Sequence, residues 1–398
     1  MPASSRDLLQ SAVRGGEIPG AVAVTGNASS RRPTLTVGVT SHWPGGAPVS
    51  ESTVYDLASL TKVVATLPAV LKLIAAGELS LETSVRDIVS NAGWFRTPSL
   101  GDATIRQLLS HVSGLPAWRP LFAWVSRRET AVANALQSAL EHPAGQYVYS
   151  DLGFILLGAI VERLTRTRLD AFVQDQVFAP LGMKETRFGP VPAENVAATE
   201  DCGWRNLRLR GVVHDENAYV MDGVAGHAGL FGTAGDLATY AQAWLNQDAR
   251  LAPAVLLEEA TKQQLSGGER RGLGWMLSAA GCSGGRYASP AAYGHTGFTG
   301  TSLWIDPGSQ GPSGPNPGSQ GPSGPNPGSK GPSGPNPGSK GPSGPNPKGD
   351  WFAVLLTNRV HPSRTRGQNI HALRVAFHEA VGESFRGLNG KLPSEVMV

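Results

Sequence analysis

Cysteine is scarce in this sequence: Cys202 and Cys282 are the only two among 398 residues. That excludes a disulfide scaffold and a cysteine-rich zinc site, and two inert thiols are the simplest reading. No run of Lys or Arg exceeds two residues, and the net charge is only +3. A nucleic-acid partner or an anionic surface therefore has no electrostatic footprint. No apolar run reaches the roughly 18 residues that a spanning helix requires. Met1–Arg14 has no apolar stretch before its first charges, so no export signal is visible. A cytoplasmic location is expected on the sequence as given, and a periplasmic one if the start is mis-assigned. Hydrophobic residues make up 40% and charged residues 16%, which supports a large buried core.

Glycine and proline are abundant but unevenly spread. Residues 307–346 are four tandem copies of PGS(Q/K)GPSGPN. Glycine recurs there at spacings of 3, 3 and 4, which breaks the strict triplet that a collagen helix needs. With no apolar side chain larger than proline, the block cannot bury a core and is expected to be disordered or extended. It interrupts what reads as one β-hairpin, Thr301–Asp306 with Trp351–Thr357. Loop closure costs grow only with the logarithm of length, so a fold can carry such an insertion. The Asp306 end of the first strand, which carries the repeat, lies ~20 Å from the tight turn that follows His295-Thr-Gly297, at ~3.3 Å per residue. The repeat should therefore not act as a lid over anything near that turn.

Strand patterns cluster at both chain ends. Ala21–Thr25 and Thr34–Val39 lie near the start; Trp275–Ser278, Ala292–Thr296 and the two hairpin strands lie near the end. Between them the pattern is helical. Ala58–Ala76 is a largely apolar helix stopped by Gly77, with Pro68 expected to kink it or mark an irregular turn. Thr104 can cap Ile105–His111, and Ser150 or Asp151 can cap Leu152–Leu164. Ile370, Leu373, Phe377 and Ala380 mark a last amphipathic helix. The expected fold is α/β (α+β), an antiparallel sheet flanked by helices and built from both chain ends, with an inserted all-α lobe. In domain terms, 1–80 and 251–398 form the sheet lobe, 81–250 the mainly helical lobe, and 307–346 the inserted repeat.

Three short motifs carry chemistry. In Asp56-Leu-Ala-Ser59-Leu-Thr-Lys62, Ser and Lys at i and i+3 share a helix face near its start. A serine hydroxyl becomes a nucleophile when a neighbouring base takes its proton, and a desolvated lysine can be or assist that base. Ser-x-x-Lys alone is a weak signal, because a chain of this composition offers about one chance match. Tyr149-Ser-Asp151 opens a helix, and a phenol beside an ammonium group can relay protons. His295-Thr-Gly297 ends a strand at a tight turn, where glycine lets another backbone come close. Each motif taken alone also fits a capped helix, a turn tyrosine or a surface histidine. They occur in this order, 90 and then 146 residues apart.

In that order and context the chain resembles the serine β-lactamase-like hydrolases, in the branch of class C β-lactamases, penicillin-binding proteins and esterases. The resemblance extends to Ile18-Pro-Gly-Ala21, Tyr55–Lys62, Thr104-Ile-Arg-Gln-Leu-Leu-Ser-His-Val-Ser-Gly-Leu-Pro116, Tyr149–Gly158, Pro180-Leu-Gly-Met183, His295–Gly300 and Leu356-Thr-Asn-Arg359. It implies that Ser59 is acylated, that Lys62 deprotonates it or keeps the tyrosine active, and that Tyr149 is the general base. The backbone N–H groups of Ser59 and Phe298 would form the oxyanion hole. Asp151, His295, Thr296 and Gly297 would contact substrate.

Two residues depart from the family pattern. His295 stands where a lysine is usual, so a fixed charge becomes one that titrates near neutrality. Asp151 stands where an asparagine is usual; it accepts but cannot donate, and it could pair with Lys62. Both changes favour esterase-like chemistry over antibiotic hydrolysis. The stretch Gly211–Tyr219 with Gly223–Phe231 adds His214, Asp215, Glu216, Asn217 and His227. Their spacing fits no metal-ligand pattern, and His214 and Asn217 are substrate-contact candidates through the resemblance. His111, His371 and His378 read as structural.

The resulting expectation is a serine hydrolase that forms an acyl-enzyme on a small-molecule ester, amide or peptide, with esters favoured and no metal or cofactor. A D-Ala-type carboxypeptidase or weak β-lactamase is the alternative within enzymes. A catalytically silent scaffold or sensor is the alternative outside them, and retention of Ser59, Lys62 and Tyr149 argues against it.

Overall fold

The computed structural model describes residues 4–89, 98–308, 349–367 and 369–386. All of the repeat except Pro307 and Gly308 lies outside the described residues. The strands are β1 (Gly20–Gly26), β2 (Leu35–Gly38), β3 (Tyr55–Asp56), β4 (Arg187–Phe188), β5 (Asp201–Cys202) and β6 (Leu207–Arg208). They continue with β7 (Leu230–Gly232), β8 (Met276–Leu277), β9 (Tyr293–Thr296), β10 (Ser302–Asp306) and β11 (Trp351–Thr357).

One antiparallel sheet dominates, in the order β2-β1-β11-β10-β9-β8. Its first two strands come from the N-terminal end and its last four from the C-terminal end. They meet where β1 pairs β11, with Ala21 opposite Thr357 and Gly26 opposite Phe352. The period of two along β11 explains why every residue of it is buried. Phe352, Val354 and Leu356 enter the larger core, which holds the helices of the middle of the chain. Trp351, Ala353 and Leu355 enter a second core on the opposite face. That face is covered by α1 (Ser5–Arg14), through Leu9 and Ala12, and by the last helix, Ile370–Arg386, through Leu373, Phe377, Val381 and Phe385.

Strands β10 and β11 form the expected hairpin, with Asp306 opposite Trp351 at the end that carries the repeat. Both ends of the insertion are pinned there. The Gly308 N–H donates to Asp306 Oδ1 at 2.8 Å, and the Ala28 N–H donates to Asp350 Oδ2 at 2.7 Å.

The apolar helix after β3 is less regular than its composition predicts. Ala58 has φ +47° and lies outside it. Lys62–Thr66 forms a π-helical turn, in which the Leu67 N–H reaches back to the Lys62 carbonyl. The α-helix α2 (Leu67–Ala75) follows. Pro68 accounts for the widening: it brings no N–H, and its ring would strike the carbonyl four residues earlier in a regular α-helix.

The middle of the chain supplies α3 (Ile105–Leu109), α4 (Asp151–Thr165) and α5 (Ala234–Leu245), ahead of the C-terminal α6 (Ile370–Arg386). Thr104 caps α3 as expected, sharing a capping box with Gln107. The middle also holds two small sheets, β3-β7-β4 and β5-β6. Strands of two or three residues leave too little alternation to read in a sequence. No helix among the described residues is long and apolar enough to cross a membrane.

Candidate active site

The Ser59 turn is built from its own neighbours. Asp56 is buried, and its carboxylate accepts the N–H groups of Ala58 at 2.9 Å and His214 at 2.7 Å. This holds Ala58 in a left-handed conformation, which non-glycine residues adopt rarely, and sets Ser59 half-buried at the mouth of the helix. Lys62 is fully buried and its ammonium donates to Ser59 Oγ at 2.9 Å. The same ammonium lies 2.7 Å from Asp151 Oδ1 and donates to the His227 carbonyl at 3.3 Å. Burial pulls the Lys62 pKa down, but the Asp151 carboxylate and the Tyr149 phenol outweigh it, and the net shift is upward. Lys62 is therefore an ammonium at neutral pH. In that form it orients Ser59 and stabilises negative charge beside it.

Tyr149 precedes α4, whose N-cap is Ser150, so Asp151 in the first turn remains available to Lys62. The Lys62 ammonium is 4.8 Å from the centre of the Tyr149 ring. Behind Tyr149 lies the His111 ring, 4.6 Å away, whose Nδ1 accepts the Ser150 N–H at 3.0 Å. Burial, then the nearby positive charges, holds the His111 pKa well below its usual value. It packs as a neutral wedge that fixes Tyr149, in line with its structural assignment.

His295, Thr296 and Gly297 bring the end of β9 against the Ser59 turn. A Cβ on Gly297 would lie 2.1 Å from Thr301 Oγ1 and 2.5 Å from the Leu57 carbonyl. Gly297 is thus required by the protein's own packing rather than by a substrate backbone. The Thr299 and Thr301 hydroxyls donate to the carbonyls of Asp56 at 2.7 Å and Leu57 at 3.1 Å, joining the two loops. The backbone N–H groups of Ser59 and Phe298 have no acceptor among the described residues, and both residues line the same clefts. This is the arrangement an oxyanion hole needs.

The titrating role expected of His295 does not hold. Its ring is buried, and Nδ1–H donates to the Thr296 carbonyl at 2.8 Å. Burial, with Lys62 and Arg271 nearby, pushes its pKa well below the usual value. It is neutral near pH 7 and contributes shape rather than charge.

Among the weaker candidates, His214 lines a cleft of about 350 Å³ with Ser59, Trp118 and Asp215. Its ring stacks on Phe298 at 5.6 Å, and its Nε2 pairs with Glu200 at 3.0 Å. Asn217 is corrected: it is fully buried outside that cleft. Its amide donates to the Arg119 carbonyl at 2.8 Å and accepts the Phe122 N–H at 3.1 Å. A short helix, Glu216–Val220, turns it inward.

Asp215 pairs with His227 at 2.9 Å, and Asp151, Asp215 and His227 bring potential ligand atoms within 4.8 Å of one another. Burial pushes the Asp215 carboxyl up, but His227 outweighs it and holds Asp215 well below the usual carboxylate range. The cation lying against this cluster is the Lys62 ammonium.

Three arginines escaped the sequence reading. Arg271, Arg359 and Arg374 come from a turn before β8, the turn after β11, and α6. They line a second cleft of about 380 Å³ with Ser59, Tyr149 and Thr296. None has a carboxylate partner among the described residues. Only Arg359 carried a signal, as the last residue of Leu356-Thr-Asn-Arg359. The other two are brought in by long-range contacts that no local pattern records.

A family model described as Beta-lactamase matches residues 6–377. The chain belongs to the Beta-lactamase family. It is an enzyme of the serine-hydrolase kind, so the scaffold reading lapses. The Beta-lactamase-family chain is 35% identical over 303 residues to an N-acetylmuramyl-L-alanine amidase of Bacillus subtilis (strain 168), covering 66% of this chain and 67% of that protein. It is 36% identical over 296 residues to a putative D-alanyl-D-alanine carboxypeptidase of Escherichia coli (strain K12), covering 64% and 66%. It thus spans about two thirds of the length of these curated relatives. Among solved structures, EstCE1, a hydrolase with promiscuous acyltransferase activity, superposes with a TM-score of 0.69 over 95% of this chain and 97% of that one. At 18% identity that likeness shows the shared fold alone.

Proposed function

We propose that this enzyme hydrolyses a small amide or peptide whose carboxylate docks on Arg271, through an acyl-enzyme on Ser59. The observation that carries the reading is the uncompensated Arg271. Its guanidinium lies 4.7 Å over the Tyr147 ring, its Nε and Nη1 have no acceptor among the described residues, and it shares the cleft of Ser59 and Thr296. A guanidinium in such a place matches the fork geometry of a carboxylate. The names of the two curated relatives also point to amide bonds, which moves the preference from ester to amide. Esters remain substrates of the same machinery because they need the same acyl transfer.

In the proposed reaction Tyr149 acts as a phenolate beside the Lys62 ammonium; Ser59 Oγ attacks the acyl carbonyl and its proton passes to the Tyr149 oxygen, which becomes the neutral phenol. The new oxyanion accepts the Ser59 and Phe298 N–H groups. Tyr149 then returns the proton to the departing amine as the C–N bond breaks. Water, deprotonated by Tyr149, attacks the acyl-enzyme; as the bond to Ser59 Oγ breaks, Tyr149 gives the proton to Ser59 Oγ and the acid leaves. Lys62 balances the phenolate charge that Tyr149 carries before each proton transfer to it, and Asp151 keeps Lys62 in place.

The decisive experiment is intact-protein mass after treatment with a fluorophosphonate and, separately, a penicillin, with Ser59→Ala as control. A phosphonate adduct that disappears in Ser59→Ala is expected. No adduct on folded wild type would overturn the assignment. A penicilloyl adduct would turn the reading toward the carboxypeptidase or β-lactamase branch.

A further inference from the structure

The oxyanion-hole peptide at Phe298 is held in an unusual way. Gly297 C=O and Phe298 N–H belong to one planar trans peptide group, so the two point in opposite directions. Arg374 Nη2 donates to the Gly297 carbonyl at 2.6 Å and to the Thr301 carbonyl at 2.8 Å. Arg359 Nε donates to the Phe298 carbonyl at 2.9 Å, and its guanidinium lies 4.5 Å over the Phe298 ring. The carbonyls on both sides of the Phe298 N–H are therefore clamped by guanidinium groups, while the N–H itself stays free for the cleft.

We infer that Arg374 is a positioning residue, which aligns and polarises the Phe298 N–H for the oxyanion formed on substrate. This rests on the reading of Ser59 as the nucleophile. Arg374 is only 7% exposed, and no carboxylate pairs with it among the described residues. A neutral side chain would suffice to tie two carbonyls to a helix. A buried, unpaired guanidinium is costly, and it brings what a neutral donor lacks. A charge-assisted bond to the carbonyl draws electron density through the amide and makes the opposite N–H a stronger donor. Its fixed direction removes reorganisation at the moment the oxyanion appears. The Thr299 and Thr301 hydroxyls tie the same loop to Asp56 and Leu57, so the Phe298 donor is braced against the Ser59 turn.

The test compares Arg374→Met and Arg374→Lys with wild type in the full chain, after thermal melts establish that each variant folds. Three readouts are taken: ester turnover, affinity for a boronic acid that forms a tetrahedral adduct on serine, and the infrared C=O stretch of the acyl-enzyme. Arg374→Met should lower kcat/KM and boronate affinity together by ~10- to 100-fold and shift the stretch upward. Arg374→Lys should recover part of each. A brace that merely joins α6 to the sheet would lower the melting temperature and leave all three readouts of the folded protein unchanged, which would overturn the proposal. If Arg374→Met does not fold, Arg374→Lys against wild type carries the same comparison. Wild type that fails to label with fluorophosphonate would overturn the Ser59 reading beneath the proposal. Labelled wild type with unchanged variants would overturn the proposal alone.

Discussion

The two walls of the cleft around Ser59 treat charge in opposite ways. On the α4 side charges meet partners: Lys62 with Asp151, Asp215 with His227, Glu200 with His214 and Arg364, and Glu216 with Arg364. On the β9 side Arg271, Arg359 and Arg374 stand without a carboxylate among the described residues, and His295 is neutral. Burying an unpaired charge is expensive, so such a wall persists when something repays it. The paired wall holds protons in fixed places. In the proposed reaction the unpaired wall divides its work: Arg271 meets the ligand's carboxylate, and Arg359 and Arg374 hold backbone carbonyls.

The most damaging way to break the paired wall is Lys62→Met, which should lower kcat by ~10²–10⁴-fold in single-turnover assays, because it removes the charge that balances Tyr149. Asp151→Asn is gentler. It withdraws the carboxylate that raises the Lys62 pKa, so the alkaline limb of the pH–rate profile should move to lower pH. An unmoved limb would mean that Asp151 does not govern Lys62.

On the unpaired wall, Arg271→Ala should lower kcat/KM by ~10- to 100-fold for a carboxylate-bearing amide and leave a neutral ester almost untouched. Equal losses on both would remove Arg271 as the anchor.

A smaller effect sharpens the contrast. The folded pKa of His295 is depressed, so the ring is neutral above its folded pKa and gains charge only as pH falls through it. The ratio of kcat/KM for anionic over neutral substrates should therefore vary by less than ~2-fold from about pH 5 to 8. A fall with rising pH across that window would restore His295 as a titrating anchor. The smallest effect is expected from removing residues 309–347, with kcat within ~2-fold of wild type. The cavity that Pro307 and Gly308 line, with Trp244 and Tyr293, shares no residue with either cleft of Ser59.

The contrast also explains what could be read from the sequence. The paired wall was largely legible: Ser59 and Lys62 are three residues apart, and Asp151 follows Tyr149 by two. Helix spacing put Ser59 and Lys62 on one face and capping chemistry put Asp151 at a helix start, and the family resemblance brought the two motifs together. Strands β9–β11 were legible as short strand-like runs, even across the repeat. The unpaired wall was not. Arg271, Arg359 and Arg374 lie in three separate elements, and each looks like an ordinary surface cation in its own neighbourhood. Asn217 failed for the converse reason, because a chemically rich stretch says nothing about which way its side chains turn. The π-helical turn was foreshadowed by Pro68, although its form depends on how the Lys62 backbone accommodates the missing donor.

The clamped mouth of the β10–β11 hairpin has a consequence for how this chain can vary. Gly308 is fastened to Asp306 and Asp350 to Ala28, so the strands enter and leave the repeat at fixed points. Gain or loss of whole ten-residue copies should therefore leave the register of Asp306 on Trp351 in place. Length is uncoupled from fold at this one place. Two chains that differ in copy number would run apart on a gel and turn over substrate alike, and a foreign segment spliced between the same two fastenings would ride on the enzyme as cargo.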